Sequence, residues 1–323
     1  MSHFIERTDE HMIKSASREM NGQMMHIETG RIARQASGSA VVTLGETVVL
    51  VTAVATKDLR EGVDFLPLTV EYQEMSYAGG RIPGNYFRRD MGRPSERETL
   101  VARLIDRPLR PLFPDNYYYE TQIIATVLST DRENEADVLA LVGASAALEV
   151  SDIPFRGPVG AVRVGRVGGK LVANPTLTEQ EGSDIQLIVA GTRSAVVMVE
   201  GGGNFVSESD MIDAVFFGHQ ALQPILDMQE EIRSSAGKAK REIPPAKRDE
   251  ALEAKIRELA LPLLRETATT ADKKERQDKR DLAATRTLEA LAAEYEGRES
   301  EIKEKISEIE RDLVRRMILE EGR

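Results

Sequence analysis

An arginine-rich stretch of the chain carries the residue types best suited to phosphate chemistry. From Arg81 to Arg110 there are eight arginines, four acidic residues and no lysine. The arginines are Arg81, Arg88, Arg89, Arg93, Arg97, Arg103, Arg107 and Arg110. A guanidinium group forms two parallel hydrogen bonds to a phosphate. Because the whole chain has a formal net charge of −11, this local positive excess indicates a surface for a phosphate-bearing ligand.

The first part of the stretch combines a loop with aromatic and basic side chains. Neighbouring glycines and Pro83 predict the loop. Tyr86 and Phe87 offer aromatic faces on which bases can stack, and Arg88 and Arg89 follow with charge for phosphates. Proteins bind single-stranded nucleic acid in this way without reading its sequence. The alternative interpretation is a surface loop whose arginines face water and whose phenylalanine is buried.

A helix is predicted directly after this loop. Ser95 and Glu98 have the spacing of a capping box, which places the start of the helix near Glu96. Pro108 disfavours helical backbone at the residue before it, so we expect Arg110 in a turn that follows the helix.

Three later arginines, Arg103, Arg107 and Arg110, allow either ligand binding or ion pairing. Arg103 and Arg107 are four residues apart and share one side of the predicted helix. In the first interpretation the three guanidinium groups converge on one anion. In the second they pair with Asp106, Glu96 and acids elsewhere, which is equally common for clustered arginines. The sequence leaves both interpretations open.

Other motifs are weaker. Residues 201–204 are three glycines and an asparagine before a predicted helix, but they lack the spacing of a nucleotide-binding loop, and a turn is the simpler interpretation. One acidic cluster could hold Mg²⁺, but a helix start favours such acids anyway and is the better interpretation. Its members are Asp131, Glu133, Glu135 and Asp137. The four histidines have no metal-ligand spacing, and we assign no catalytic or metal-binding residue.

Strands and helices alternate around these motifs in the first part of the chain. Strands are predicted at residues 40–43, 46–56, 65–72, 121–130, 159–167, 170–175, 185–191 and 195–200. Helices are predicted at residues 134–150 and 207–234, and small residues such as Gly143 allow the first to pack closely. These elements predict one domain over residues 1–236.

The composition changes near Ala236. Residues 237–323 are charged, nearly free of aromatic residues and helical in pattern. An apolar stripe near the end has roughly helical period and consists of Ile302, Ile306, Ile309, Leu313 and Ile318. Its short length favours a helix packed on its neighbours over a coiled coil. We therefore predict a small all-helical domain.

Composition also excludes several classes of protein. The absence of cysteine excludes disulfides, thiolate metal sites and cysteine nucleophiles. The first 20 residues contain no apolar stretch like that of a signal peptide, and the apolar runs are too short to span a membrane. We expect a cytoplasmic protein with no membrane partner.

Taken together, the motifs resemble the N-terminal half of the bacterial polynucleotide phosphorylase family. The resemblance rests on residues 30–36, 80–93, 93–96, 102–114, 197–201 and 206–208. It implies an α+β fold, in which an RNase PH-like domain of mixed sheets packed with helices precedes an all-helical domain. It also implies that the loop of Tyr86, Phe87, Arg88 and Arg89, together with Arg93, grips RNA in the channel of a ring-shaped homotrimer.

The resemblance implies an activity whose catalytic part lies elsewhere. The family degrades RNA from its 3′ end with inorganic phosphate and releases nucleoside 5′-diphosphates, reversibly. Implied partners are single-stranded RNA, inorganic phosphate and components of the RNA degradosome. The catalytic residues and the Mg²⁺ site of the family belong to a second RNase PH-like domain, which KH and OB-fold domains follow. Because the sequence ends near where that second domain should begin, we expect all of these to be absent from it.

Three hypotheses remain for the chain itself. The first is half of a phosphorolytic nucleotidyltransferase that supplies RNA-channel and assembly surfaces. The second is a non-catalytic scaffold for RNA binding and oligomerisation. The third, and weakest, is a stand-alone single-domain exoribonuclease.

Overall fold

The chain divides into two compact units, Met1–Pro244 and Pro245–Arg323. The computed structural model describes residues 13–59, 63, 65–82, 93–243 and 249–322. The sequence predicted the division at residues 236 and 237, but the segment after Ala236 stays with the first unit because its side chains bond to it. The Lys240 ammonium group donates to three carbonyl oxygens at 2.7–3.1 Å, and Arg241 pairs with Asp152 at 2.6 Å.

A six-stranded sheet is the larger of two sheets in the first unit. Its strands are β1 (Lys14–Met20), β2 (Gln23–Thr29), β3 (Gly38–Leu44), β4 (Thr47–Ala55), β5 (Leu68–Glu74) and β6 (Thr121–Ser129). They lie in the order β1-β2-β3-β4-β6-β5. All neighbours are antiparallel except β5 and β6, which are parallel. A parallel pair needs a crossover, which helix α1 (Glu96–Leu109) provides.

Two strand predictions differ from the structure. The hairpin of β1 and β2 was not predicted, although Asn21-Gly22 is a typical turn signal and both residues have positive φ, 50° and 75°. The strand predicted from residue 65 begins only at Leu68, and Phe65 is exposed.

The core of the first unit is built around helix α2, Ala136–Val150. Every residue of α2 is buried, and the helix packs on β3 and β4. A Cβ on Gly143 would lie 2.6 Å from a methyl group of Val51, so only glycine allows this close approach. The prediction that small residues let this helix pack closely is therefore confirmed.

The smaller sheet has four antiparallel strands in the order β10-β9-β7-β8. These are β7 (Gly160–Val167), β8 (Lys170–Ala173), β9 (Ile185–Gly191) and β10 (Val196–Gly203). The turn predicted at residues 201–204 is wrong, because the three glycines belong to β10. Gly201 has a φ of 138°, and a Cβ there would lie 1.9 Å from the Gln186 carbonyl oxygen.

The helix predicted over residues 207–234 is two helices. After a single helical turn, α3 (Leu177–Gln180), the chain forms α4 (Glu208–Ala221) and α5 (Gln223–Ala236). Pro224 stands in the first turn of α5, where its missing N–H leaves no bond unmade. The same proline inside one long helix would have removed a bond and clashed with the preceding turn.

The second unit is a bundle of three helices, α6 (Glu250–Thr269), α7 (Lys273–Leu291) and α8 (Glu299–Glu321). Four residues of the predicted α8 stripe are buried, which confirms a helix packed on its neighbours. Met317, four residues after Leu313, completes the stripe, whereas Ile318 is 54% exposed. Within the described ranges, no helix combines the length and apolar character needed to cross a lipid bilayer.

Candidate nucleic-acid interface

The structure describes only some of the residues that are predicted to contact RNA. Tyr86, Phe87, Arg88 and Arg89 lie within residues 83–92, outside the described part of the chain. The structure does describe the two segments that flank them. We call residues 76–82 the entry stem and residues 93–95 the exit stem.

The entry stem leaves the end of β5 in a closed turn. Ser76–Gly79 forms one 3-10 turn, and Gly80 follows with a φ of 70°. Glycine adopts this left-handed conformation without steric cost. The Arg81 N–H donates to the Ser76 carbonyl at 3.0 Å. The Arg81 side chain is exposed and pairs with no carboxylate among the described residues, so its charge is available to a ligand.

The exit stem leads into the first turn of α1. The Glu98 N–H donates to the Ser95 hydroxyl at 3.2 Å, and the Ser95 N–H donates to the Glu98 carboxylate at 2.7 Å. This confirms the predicted capping box and a helix that begins at Glu96. Burial works against the charge of Glu98, but the bonds from Glu74 and Ser95 outweigh it and lower the pKa of that carboxyl. Arg93, two residues before Ser95, is exposed and unpaired within the described part of the chain.

The entry stem and the first turn of α1, which follows the exit stem, both bond to residues 130–135, which we call the Asp131 turn. On the entry side, the Thr130 N–H donates to the Ala78 carbonyl at 3.2 Å, and the Arg132 guanidinium donates to the Gly79 carbonyl at 3.4 Å. On the exit side, Arg97 pairs with Glu135 at 3.1 Å. One turn therefore holds the backbone on either side of residues 83–92.

The Asp131 carboxylate organises this turn. It accepts hydrogen bonds from the N–H groups of Glu46, Glu133 and Asn134 at 2.8–3.0 Å. The Thr47 hydroxyl and the Asn134 amide also donate to it, at 3.0 and 2.7 Å. Burial works against its charge, but these bonds outweigh burial and hold the pKa of Asp131 well below its usual value. A carboxylate so fully bonded fixes backbone geometry.

The remaining acids of the predicted cluster form ion pairs and hydrogen bonds. Glu135 pairs with both Arg97 and Arg163, Asp137 pairs with Arg163 at 2.5 Å, and Glu133 accepts from the Thr178 hydroxyl at 2.8 Å. Among the described residues, no group of three or more acids or histidines is placed to hold a metal ion. The carboxylates of this cluster are bonded to protein groups and therefore do not offer Mg²⁺ a free set of ligands.

The three later arginines reach different parts of the fold. Arg107 pairs with Glu200 of β10 at 2.5 Å. Arg110 lies in the turn after α1, as predicted, and pairs with Asp106 at 2.7 Å, while its guanidinium also donates to carbonyl oxygens at the start of β5. Arg103 is exposed and has no ion pair within the described ranges. The structure pairs Arg107 and Arg110 with carboxylates, and phosphate contact by the three remains a prediction.

Helix α1 runs further than its proline suggested. Arg107 is helical, and Pro108 lies inside the helix, which ends at Leu109. Pro108 and Leu109 are both buried against the core. This burial offsets the one helical bond that the proline cannot donate.

An open cleft of about 380 Å³ lies beside the stems. Three arginines line it, Arg81, Arg97 and Arg132, together with Glu74 and Glu135, which both pair with Arg97. Of these residues, sequence reasoning had missed Glu74 and Arg132. Arg132 has a φ of 65°, a conformation uncommon for residues other than glycine, and it directs the guanidinium towards the entry stem. The nearest sequence signal was the acidic cluster around it, for which a helix start was favoured over a Mg²⁺ site.

Comparison with known proteins identifies the class of protein to which this fold and this cleft belong. The "3′ exoribonuclease family, domain 1" matches residues 21–154, and "domain 2" of the same family matches residues 157–221. Both matches fall within the first unit. Rice (Oryza sativa) Rrp46 shares the fold, with a TM-score of 0.52 and 16% identity over 68% of this chain and 94% of that one.

Two further comparisons assign the family. "Polyribonucleotide nucleotidyltransferase, RNA binding domain" matches residues 251–323. The polyribonucleotide nucleotidyltransferase of Desulfatibacillum aliphaticivorans is 56% identical over 307 residues, and that of Geotalea uraniireducens is 53% identical over 304. The matches cover 95% and 94% of this chain but only 43% and 44% of those proteins. The chain belongs to the polyribonucleotide nucleotidyltransferase family and spans less than half the length of these relatives.

Proposed function

We propose that this chain is the RNA-guiding part of a phosphate-dependent 3′-to-5′ exoribonuclease. The observation that carries the proposal is a pair of exposed cations, Arg81 and Arg93, that pair with no described carboxylate and border residues 83–92 in a chain of net charge −11. A third such cation, Arg103, lies on α1. Such cations attract a polyanion and release its counterions. Tyr86, Phe87, Arg88 and Arg89 lie between Arg81 and Arg93 and would grip the strand by stacking and phosphate contact.

In the reaction we propose, inorganic phosphate attacks the last phosphodiester of the RNA. A P–O bond forms to the attacking phosphate, the bond to the penultimate 3′-oxygen breaks, and a nucleoside 5′-diphosphate leaves. The bond formed resembles the bond broken, so the reaction is reversible. Mg²⁺ would neutralise charge on the transferred group. We assign the catalytic groups and Mg²⁺ to a second RNase PH-like domain, and this chain lowers the entropic part of the barrier by directing the 3′ end.

A scaffold without catalysis is the second candidate, because the chain matches only 43% and 44% of the length of the two relatives. Incubation of the purified chain with poly(A), phosphate and Mg²⁺ tests whether the chain itself is catalytic, which neither candidate expects. We expect RNA binding without release of nucleoside diphosphate. Release by this chain alone would contradict our assignment of catalysis to another domain and would favour the stand-alone exoribonuclease.

Single-stranded RNA binding can be tested on the aromatic and basic loop directly. Replacing Arg88 and Arg89 together by alanine should weaken binding to all sequences. It should also reduce the slope of log affinity against log salt by about 0.7 for each phosphate that the variant no longer binds. Phe87→Ala should cost about 1–3 kcal/mol of binding free energy if the ring stacks on a base. An unchanged salt slope for the double variant would contradict the RNA role of the arginine pair. Reduced thermal stability of Phe87→Ala with intact affinity for RNA would identify Phe87 as a core residue.

We further propose a cytoplasmic homotrimer that has RNA-degradosome components among its partners. The family assignment supports this, because a ring would bring several copies of the stems around one RNA channel. Analytical ultracentrifugation of the purified chain tests the trimer. A monomer at micromolar concentration would mean that assembly needs parts of the relatives that this chain does not match.

A further inference from the structure

Arg97 differs from the other arginines near the stems because two carboxylates from different elements hold it. Its Nε donates to Glu74 at 3.1 Å, and its Nη2 donates to Glu135 at 3.1 Å. Glu74 is the last residue of β5, directly before the entry stem, and Glu135 is the N-cap of α2. Arg97 itself is in the first turn of α1, directly after the exit stem.

These contacts connect the two stems through one side chain. Glu98, next to Arg97, also accepts from the Glu74 N–H at 3.0 Å, so two neighbouring residues of α1 bond to the end of β5. Glu135 in turn pairs with Arg163 of β7. One small network of charges therefore holds the chain two residues before the entry stem and two residues after the exit stem.

We infer that Arg97 is a positioning residue for RNA binding: with Glu74 and Glu135 it sets the separation of the two stems. This inference rests on the proposed function, because it assumes that residues between the stems contact RNA. Arg97 acts here through its neighbours and does not itself hold a phosphate.

The ion pairs of Arg97 contribute little to the free energy of folding, so we assign them a role in fixing geometry. The Arg97 side chain is 57% exposed and that of Glu74 is 40% exposed. Ion pairs this exposed contribute only about 0–1 kcal/mol each to folding. A planar guanidinium bonded to two carboxylates nevertheless has a fixed orientation, which a single pair to a flexible lysine would lack.

The sharpest test asks whether removing one negative charge, at Glu74, raises or lowers the affinity for RNA. Removing a negative charge near an RNA site should strengthen RNA binding, because it lowers electrostatic repulsion. For Glu74→Gln we expect the opposite, a loss of affinity of about threefold to tenfold for a short single-stranded oligoadenylate. Glu96→Gln is the matched control on the same helix end, since Glu96 is exposed and its side chain makes no bond to a described residue. That variant should bind as well as the wild type or better.

Arg97→Gln and Arg97→Lys separate positioning from direct contact. If Arg97 positions the stems, Arg97→Gln weakens binding but keeps the salt slope of the wild type. A slope reduced by about 0.7 would show a direct phosphate contact and would overturn the inference. Arg97→Lys keeps the charge but not the two-carboxylate bridge, so it should lose affinity about as much as Arg97→Gln. Full affinity of Arg97→Lys would also overturn the inference.

The Arg88→Ala, Arg89→Ala double variant, measured in parallel, distinguishes the two proposals. If the double variant binds RNA normally, the proposed role of the loop fails whatever Glu74→Gln does. If the double variant loses affinity but Glu74→Gln binds RNA as well as Glu96→Gln does or better, the role of the loop stands and only the positioning role of Arg97 fails. Melting temperatures of all variants, taken in the binding buffer, show whether each is folded when its affinity is measured.

Discussion

Helices α1 and α2 belong to the same unit and have 14 and 15 residues, yet their surroundings are opposite. All of α2 is buried, whereas α1 buries five residues and exposes its arginines. The first arrangement stabilises the fold, and the second keeps charged side chains in contact with water. The comparison shows that α2 forms the centre of this unit and α1 part of its surface, and a role of α1 in binding is our proposal.

The largest expected effect is a cavity in α2. Leu141 is fully buried, so Leu141→Ala should lower the free energy of unfolding by about 2–5 kcal/mol. Leu100→Ala is the matched control on α1, where the side chain is 58% exposed, and it should change stability by less than about 0.5 kcal/mol. Urea denaturation measures both. Equal losses for the two variants would contradict the division of roles between the helices.

The next effect concerns the turn before α2. Asp131→Ala removes five accepted hydrogen bonds and should cost about 1–2 kcal/mol at pH 7, reduced by partial exposure of the carboxylate. Because folding lowers the pKa of Asp131, its contribution is complete above the unfolded value of 3.8 and is lost as the pH falls towards the folded value. The wild type should therefore lose more stability than the variant between pH 5 and about pH 2. Equal losses of stability for the wild type and the variant over this pH range, measured by urea denaturation, would argue against this role.

A smaller effect is expected at the start of α1. Ser95→Ala removes the side chain that caps the helix and should cost about 1 kcal/mol. Ser95→Asp keeps an acceptor at the same position and should retain most of the stability. If alanine and aspartate destabilise the protein equally, the capping box does not determine where α1 begins.

The smallest effect on stability is expected for the exposed ion pair of α1. Arg107→Gln removes the pair with Glu200 and should change unfolding by less than about 1 kcal/mol. The same variant decides between the two interpretations of this arginine. A salt slope for RNA binding reduced by about 0.7 identifies a phosphate contact, and an unchanged slope leaves only the ion pair.

Much of the fold could be predicted because its signals are local. The capping box at Ser95 lies within one helical turn, and each member of the buried stripe from Ile302 to Leu313 lies about one turn from the next, and the structure has both. Local signals also account for the errors. Pro224 was overlooked as the start of a second helix. The glycines of β10 were interpreted as a turn because glycine is a common turn residue, whereas they pair with β9, the preceding strand of the same hairpin.

For this protein, the sequence alone determined the residue types of the candidate interface. Aromatic and arginine side chains lie between two stems, in an acidic chain whose segments resemble one family. Only the tertiary structure decided which arginines pair with carboxylates. Arg97 meets a carboxylate 38 residues away and Arg107 meets one 93 residues away, whereas Arg81, Arg93 and Arg103 have no such partner among the described residues. Ion pairing depends on distance in space, and the packing of α1 against β5, α2 and β10 sets that distance.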